Sequence, residues 1–276
     1  MRVGDIEILP VLDGTARIKA PDAFRIGVEQ GSGTLGGEAA DWEPHRNLLD
    51  DEGCLTLAMG GFLIRGAGDR LILVDAGVGP IDRAPFVGGA LIDGLAGLGH
   101  QPEDITDVVF THLHFDHVGW ATQKGRVVFS NATYRCDERD WDHFLGDDHH
   151  AGEAGSVRKL SPIADRLEPF DGSGPLFPGV DVLSAAGHTP GSTIVVISDG
   201  IERAMLLGDV VHCPVELLDD EWAGMSDVDP QLARRTRNNL ARELEGTDTP
   251  VAAAHFEGMQ FGRLIAAAGR RQWQIA

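Results

Sequence analysis

A seven-residue stretch near the middle of the chain concentrates groups that bind metal ions. The segment Thr111–His117 contains three histidines and one aspartate, at positions 112, 114, 116 and 117. Zinc and similar metals bind imidazole nitrogen and carboxylate oxygen. His112 and His114 are two residues apart and can point the same way from an extended segment, whereas Asp116 and His117 would face a second position. The stretch therefore predicts two adjacent metal sites.

Three more residues that could bind metal follow apolar runs later in the chain. His188 lies in the sequence AGHTPG, Asp209 follows two leucines and a glycine, and His255 follows Val251–Ala254. Each lies where a predicted buried strand meets a loop. Enzymes with mixed α/β folds place their chemistry at such strand ends, so we expect these three side chains to lie near the first cluster.

The elements that would position these groups are mainly strands. Apolar runs and turn residues predict strands at 3–18, 55–66, 70–75, 105–111, 126–129, 133–136, 180–185, 193–198, 203–207 and 250–254. Helices are predicted at 89–99, 137–145, 230–245 and 259–270, and a loop at 146–160. Asp229 is the candidate N-cap of the third helix, and Pro230 occupies its first position.

The ordered set of residues resembles the metallo-β-lactamase superfamily of metal-dependent hydrolases. The pattern is HxHxDH, then a lone histidine, an aspartate and a final histidine, and an upstream strand that ends in Asp75 also fits. The resemblance extends from about residue 55 to about residue 262. It implies an α/β fold of four αββα layers, with two mixed sheets face to face and helices outside. It also predicts one domain over 1–276.

The resemblance assigns a role to each candidate ligand. It implies that two divalent metal ions share Asp209 as a bridge, and that Asp75 supports the metal loop through hydrogen bonds. The first ion would be held by His112, His114 and His188, and the second by Asp116, His117 and His255. Zinc is the expected metal, although iron, manganese and cobalt accept the same nitrogen and oxygen ligands.

The family's chemistry predicts an enzyme that hydrolyses a small neutral ester. The metals would share a water whose pKa falls from 15.7 to roughly 7, and the resulting hydroxide would attack the ester carbonyl. A lactone of the acyl-homoserine type is the leading candidate substrate. Asp116 either acts only as a ligand or also carries the proton to the leaving group.

His212 separates this chain from many acyl-homoserine lactonases, which have a tyrosine three residues after the bridging aspartate. Its imidazole could donate a hydrogen bond to the substrate carbonyl or protonate a leaving group. Organophosphate-hydrolase-like relatives also have histidine here, so an organophosphate or aryl-ester hydrolase is one alternative. The others are a thioester or β-lactam hydrolase using the same site, and a metal-binding redox or sensor protein without hydrolytic activity.

The pocket and partner surfaces are less well defined by sequence. Four aromatic residues near the motifs could form an apolar wall, namely Phe115, Trp120, Phe144 and Trp222. Residues 20–53 and 143–160 could form a lid, and the first of these segments could instead build a homodimer interface.

Bulk composition narrows the class of protein. The 276 residues are 42% hydrophobic and 24% charged, which is ordinary for a globular protein. The formal net charge of −20 argues against nucleic acids and anionic membranes as partners and leaves a small-molecule substrate. Three widely spaced cysteines and the lack of an apolar leader or spanning segment predict a cytoplasmic protein with free thiols.

Overall fold

The computed structural model describes residues 1–26, 38, 40–146, 154–224, 226–267 and 269–276. The strands before residue 140 are β1 (Arg2–Val3), β2 (Ile6–Lys19), β3 (Phe24–Ile26), β4 (Cys54–Arg65), β5 (Leu71–Val74), β6 (Ile81–Arg83), β7 (Phe86–Gly88), β8 (Asp107–Val109), β9 (Thr122–Gln123), β10 (Arg126–Val127) and β11 (Thr133–Arg135). The later strands are β12 (Gly174–Phe177), β13 (Val180–Ser184), β14 (Thr193–Asp199), β15 (Glu202–Leu206), β16 (Trp222–Gly224), β17 (Val251–Ala252), β18 (Gly262–Ala267) and β19 (Arg270–Ile275).

Six α-helices lie within the described ranges. They are α1 (Ala20–Ala23), α2 (Leu91–Gly97), α3 (Glu138–Leu145), α4 (Ala154–Leu160), α5 (Val215–Leu218) and α6 (Pro230–Leu244). The predicted N-cap of α6 is present, because the Asp229 carboxylate accepts a hydrogen bond from the backbone N–H of Leu232. None of the described helices has the length and apolar character needed to cross a membrane.

Two large mixed sheets form the body of the protein. The first has the strand order β11-β8-β5-β4-β2-β7-β6, with β1 paired to β2, and the second has the order β12-β13-β14-β15-β17-β18-β19. Most neighbouring strands are antiparallel, but β8 is parallel to β5 and β11, and β15 is parallel to β17. A short ribbon of β3 and β16 joins the amino-terminal segment to the second half of the chain.

Three apolar layers confirm the predicted αββα arrangement. Side chains of both sheets, such as Phe62 and Ile197, pack together in a central layer. Leu95 of α2 and Phe144 of α3 belong to a second layer on the outer face of the first sheet. Leu240 of α6 belongs to the third layer, which covers the outer face of the second sheet. The helices therefore lie outside the two sheets.

Two predicted segments differ from the structure in the type of element. The predicted helix at 259–270 is wrong, because this segment contains β18 and the start of β19, which form an antiparallel hairpin. Burial alternates along most of β18, as expected for a half-buried strand. The predicted loop at 146–160 ends in a helix, α4, over 154–160. Residues 27–37, 39 and 147–153 of the predicted lid segments lie outside the described residues.

The parallel pairing of β5 and β8 brings two loops together at one edge of the first sheet. Asp75 follows β5 and donates its backbone N–H to the carbonyl of Val109, where β8 ends. In the second sheet, Gly208 follows β15 at φ +52°, and a Cβ there would lie 2.7 Å from Thr111. Only glycine permits this close approach at a positive φ, so the loop bearing Asp209 can contact the loop bearing the histidines.

Candidate metal centre and cleft

Three imidazoles form the first ligand group. His112 and His114 come from the loop after β8, and His188 comes from the loop between β13 and β14. His114 Nδ1 lies 3.0 Å from His112 Nε2 and 2.9 Å from His188 Nε2. The three ligand atoms lie within 4.8 Å of one another. The structure therefore brings together the three residues predicted to hold the first ion.

A second ligand group lies beside the first. It consists of Asp116 and His117 from the same loop, together with His255, which follows β17. His255 Nε2 lies 3.5 Å from Asp116 Oδ2. All three ligand atoms again lie within 4.8 Å of one another, so the residues predicted to hold the second ion also lie together.

Asp209 lies between the two groups. Its Oδ1 is 3.2 Å from His117 Nε2, and its Oδ2 is 3.1 Å from His255 Nε2. On the other side, Oδ2 lies 3.6 Å from His188 Nε2 and 3.7 Å from His112 Nε2. One carboxylate thus faces both groups, which is the placement required of a bridge between two ions.

Orphaned polar atoms in the cluster fit metal ions. Within the described residues, His117 Nε2 and Asp209 Oδ1 are buried and, although they lie 3.2 Å apart, neither forms a hydrogen bond with the other or with another group. Such atoms are rare in folded proteins and call for an ion or a water molecule. The ligands offer only imidazole nitrogen and carboxylate oxygen, which suit zinc, iron, manganese and cobalt. The residues present therefore fit a two-metal centre.

Asp75 supports the histidine loop from behind. Its carboxylate accepts hydrogen bonds from the N–H of Thr111, at 2.8 Å, and from the Thr111 hydroxyl, also at 2.8 Å. Asp75 Oδ2 also lies 3.0 Å from His117 Nδ1. Because the imidazole donates Nδ1–H to this carboxylate, its Nε2 lone pair faces the cluster.

Other outward contacts orient ligands in the same way. His188 Nδ1 lies 3.0 Å from Asp227 Oδ1, and His255 Nδ1 lies 2.8 Å from the carbonyl oxygen of Ala58. Both acceptors select the tautomer that carries the proton on Nδ1, which leaves Nε2 free to bind metal.

The electrostatics of the cluster favour metal-binding protonation states at four of the candidate ligands and oppose them at His117 and His255. Burial lowers the pKa of both these imidazoles, but the neighbouring carboxylates, Asp209 foremost, raise it more. Burial, followed by neighbouring imidazoles, lowers the pKa of His112 and of His188 well below the usual value. Burial also lowers the pKa of His114, to about 4. Burial raises the pKa of Asp209, but the surrounding histidines, His117 foremost, lower it by more. The resulting pKa is well below the usual value. Neutral imidazoles and an ionised carboxylate are the forms that bind metal.

His212 lies at the edge of the cluster and lines the adjacent cleft. Its Nε2 is 3.4 Å from Asp209 Oδ2, and its ring is parallel to that of His255 with 5.8 Å between centroids. Burial lowers its pKa, but the carboxylates of Asp209 and Glu216 raise it more, to about 9. The position lets the imidazole reach a molecule bound at the cluster.

A cleft of about 410 Å³ opens over the ligands. Its base includes His114, Asp116, Asp209, His212 and His255. The remaining wall is mostly apolar and includes Ala16, Ile18, Ala23, Phe24, Leu57, Met59, Phe86 and Phe115, with Asp22 and Ser226 as polar members. Among described side chains, no lysine or arginine lines this cleft.

The predicted pocket aromatics occupy different places. Phe115 lines the cleft, whereas the other three are not among its lining residues. Trp120 donates its Nε1–H to Asp13, and Phe144 is fully buried in the layer outside the first sheet. Trp222 packs edge to face against Phe24, with 6.3 Å between ring centroids. Trp222 therefore supports the wall from behind.

Sequence reasoning missed four buried charged residues around the ligands. They are Asp140, Glu216, Asp227 and Arg237. Glu216 follows His212 by four residues, a spacing that brings side chains together on a helix and could have served as a signal. The other three contact residues far away in the sequence, so no local pattern identified them.

Comparisons with known proteins agree with this geometry. Residues 61–255 match the family model described as the metallo-beta-lactamase superfamily. The N-acyl homoserine lactonase AiiA of Bacillus thuringiensis subsp. kurstaki is 25% identical over 163 residues, which cover 58% of this chain and 59% of that enzyme. The human metallo-beta-lactamase domain-containing protein 1 is 27% identical over 173 residues, covering 61% of this chain and 53% of that protein.

Solved structures match nearly the whole chain. The hydrolase AbOPH of the beta-lactamase superfamily has a TM-score of 0.85 at 25% identity, covering 99% of this chain and 95% of that one. AidC, a dizinc quorum-quenching lactonase, has a TM-score of 0.80 at 23% identity with the same coverages. Two facing sheets with a histidine–aspartate centre at one edge define the structural class. The chain belongs to the metallo-beta-lactamase superfamily.

Proposed function

We propose that the protein is a dinuclear metal-dependent hydrolase of small neutral esters, with lactones as the first class of substrate. The observation that carries this proposal is the apolar cleft of about 410 Å³ that opens directly over the two ligand groups. Its described wall offers no lysine or arginine to bind an anionic substrate. The relatives AiiA and AidC, both lactonases, support the same substrate class.

The ligand groups would hold two divalent ions, and zinc is our first choice. When bound, the ions would supply Lewis acidity and lower the pKa of a water molecule to about 7. Asp209 would hold both ions, because its carboxylate faces both groups. The other six ligands would be those predicted from the sequence, namely His112, His114, Asp116, His117, His188 and His255.

Protein side chains would bind the ester and move its protons. The apolar wall, including Phe24 and Met59, would hold the acyl portion and exclude water. His212 would donate a hydrogen bond from its imidazole to the substrate carbonyl or protonate the leaving oxygen. Asp116 lines the cleft as well as facing His255, so it can carry a proton to the leaving group.

The variant Asp209→Ala tests the metal-dependent activity. Metal content per chain and kcat/KM for a long-chain acyl-homoserine lactone would be measured on protein reconstituted with zinc. For the wild-type protein we expect two zinc ions and a kcat/KM above about 10⁴ M⁻¹s⁻¹. The variant should lose at least one ion and several orders of magnitude in kcat/KM, because the Asp209 carboxylate faces both groups.

Asp69→Ala serves as the matched control, because Asp69 is exposed in the turn between β4 and β5. Full activity with two retained ions in Asp209→Ala would refute the proposed metal role. A neutral aryl ester and a neutral phosphotriester tested in parallel would identify the alternative substrate class, since a mostly apolar wall suits them as well.

A further inference from the structure

A fully buried arginine lies behind the metal centre. Arg237 is on α6, and its side chain is about 1% exposed. Its guanidinium lies 3.3 Å from Glu216 Oε1 and 3.3 Å from Asp227 Oδ2. It also donates a hydrogen bond of 3.3 Å to the carbonyl oxygen of Val210, the residue after Asp209. One side chain thus contacts three segments around the centre.

The Asp227 contact leads to a candidate metal ligand. While Oδ2 of Asp227 faces Arg237, its Oδ1 lies 3.0 Å from His188 Nδ1. The Asp227 side chain is fully buried. The backbone supports the same contact, because the N–H of Val228 donates to the carbonyl of His188 at 2.9 Å. Asp227 therefore transmits the position of Arg237 to the His188 ring.

The Glu216 contact leads to His212. Glu216 Oε2 accepts hydrogen bonds from the backbone N–H of His212, at 2.6 Å, and of Cys213, at 3.2 Å. The same oxygen lies 3.4 Å from His212 Nδ1. Glu216 therefore holds the backbone of this short turn through two hydrogen bonds and places its charge beside Nδ1 of the imidazole, whose Nε2 is toward Asp209.

Folding stability alone is a poor reason for this arrangement. Removing three charged groups from water is costly, and replacing buried ion pairs by apolar residues is often neutral or stabilising. A planar guanidinium, however, holds two carboxylates in fixed directions. We propose that Arg237 is a positioning residue, which orients His188 through Asp227 and His212 through Glu216. This inference rests on the proposed metal centre.

The two carboxylates allow the two contacts to be tested separately. Asp227→Asn and Glu216→Gln keep the shape of each side chain and remove its charge. Arg237→Met removes the shared cation, and Arg242→Met is the control, because Arg242 lies on the same helix but is 59% exposed. Each protein would be loaded with cobalt, and its visible spectrum, cobalt affinity, kcat and KM for a lactone would be compared with wild type.

We expect a different result from each variant. Asp227→Asn should change the cobalt spectrum and weaken cobalt binding about 10–100-fold, as loss of such outer hydrogen-bond partners does. Glu216→Gln should leave the spectrum and the affinity unchanged and lower kcat about 10–100-fold, with KM little altered. Arg237→Met should show both effects if it folds. If it does not fold, Arg237→Lys, which keeps the charge but loses the planar fork, takes its place and should show both effects.

The outcomes separate this inference from the proposed function. Wild-type protein that binds two cobalt ions, together with variants that lose only thermal stability, would overturn the positioning role alone. Wild-type protein that binds no cobalt would overturn the metal centre and this inference together. If wild-type protein binds cobalt but hydrolyses no ester, the proposed activity fails, and the cobalt spectra of Asp227→Asn and of the Arg237 variant together still decide whether Arg237 positions His188.

Discussion

The direction of each imidazole ring follows from the group behind it. His117, His188 and His255 each present Nε2 to the cluster, because Nδ1 faces a carboxylate or a backbone carbonyl. His114 differs, since its Nδ1 is the atom that lies near the other two imidazoles of its group. The outer hydrogen bonds are therefore as much a part of the site as the ligands.

A substitution at Asp75 tests the importance of these outer hydrogen bonds. Asp75→Ala removes the acceptor for His117 Nδ1 and for both donors of Thr111. We expect metal affinity to fall about 10–100-fold, and each buried donor left unpaired to cost about 1–3 kcal/mol of stability. Metal retained during dialysis against a chelator and the midpoint of urea unfolding would be measured.

A second variant controls for backbone strain, because Asp75 has a φ of +61°. Asp75→Asn tolerates this conformation and keeps one acceptor oxygen, so its loss of affinity should be smaller than that of alanine. Wild-type metal retention in Asp75→Ala would contradict the supporting role.

At the scale of elements, α3 joins the two ligand loops of the first group. Asp140 on this helix accepts hydrogen bonds from the backbone N–H of Leu113, at 3.1 Å, and of Gly191, at 2.6 Å, and from the Thr189 hydroxyl, at 2.9 Å. Leu113 lies between two ligands and Thr189 follows a third. The helix therefore fixes the distance between the loops.

The buried Asp140 carboxyl predicts a pH dependence of stability. Burial raises its pKa from 3.8 to about 7, against the opposing effect of its hydrogen bonds. Between about pH 4 and 7 the folded protein would keep a proton that the unfolded chain has released. The contribution of Asp140 to the free energy of unfolding should thus fall as pH rises through this range, by at most about 1.4 kcal/mol per pH unit, and level off above it.

Urea unfolding of wild type and Asp140→Asn at pH 5 and pH 7.5 tests this expectation. The asparagine does not titrate. The unfolding free energy of wild type, relative to that of Asp140→Asn, should therefore be higher at pH 5 than at pH 7.5. Asp142→Asn, an exposed change on the same helix, should show no such trend. An equal difference at both pH values would show that Asp140 does not titrate in this range.

Structural elements and site residues could be predicted where the sequence pattern involves only neighbouring residues. The HxHxDH cluster, the strand end at Asp75 and the cap at Asp229 each involve a few consecutive residues. The segment 259–270 was wrongly predicted as a helix, because its alanine run favours that conformation, while pairing with β19 and β17 determines the observed strand. Contacts of Arg237 and Asp140 could not be predicted, since they join residues separated by 10 to 51 positions.

At the scale of the whole molecule, the metal centre lies where the two sheets meet. The first sheet's loop supplies His112 to His117, and loops of the second sheet supply His188, Asp209 and His255. Neither sheet alone supplies all the residues of either ligand group. Metal binding is therefore thermodynamically linked to the docking of one sheet on the other.

This linkage predicts that metal raises thermal stability. Ions that bind only the docked state stabilise it by about 2.7 kcal/mol at 100 times the dissociation constant. The Tm should therefore increase with the logarithm of free zinc and fall on addition of a chelator. Calorimetry at several buffered zinc concentrations would measure the effect, and Asp209→Ala should reduce the increase. A Tm independent of zinc in wild type would contradict the linkage.

The wall of the cleft comes largely from an early part of the chain. Residues from Ala16 to Met59 supply much of the apolar surface, whereas the seven candidate ligands all follow residue 111. The stretch that matches the family model begins at residue 61. Mutations of wall side chains such as Ile18, Phe24 and Leu57 can therefore alter which molecules enter while the ligand residues stay the same. Related proteins can therefore evolve different substrate specificities while the catalysed reaction stays the same.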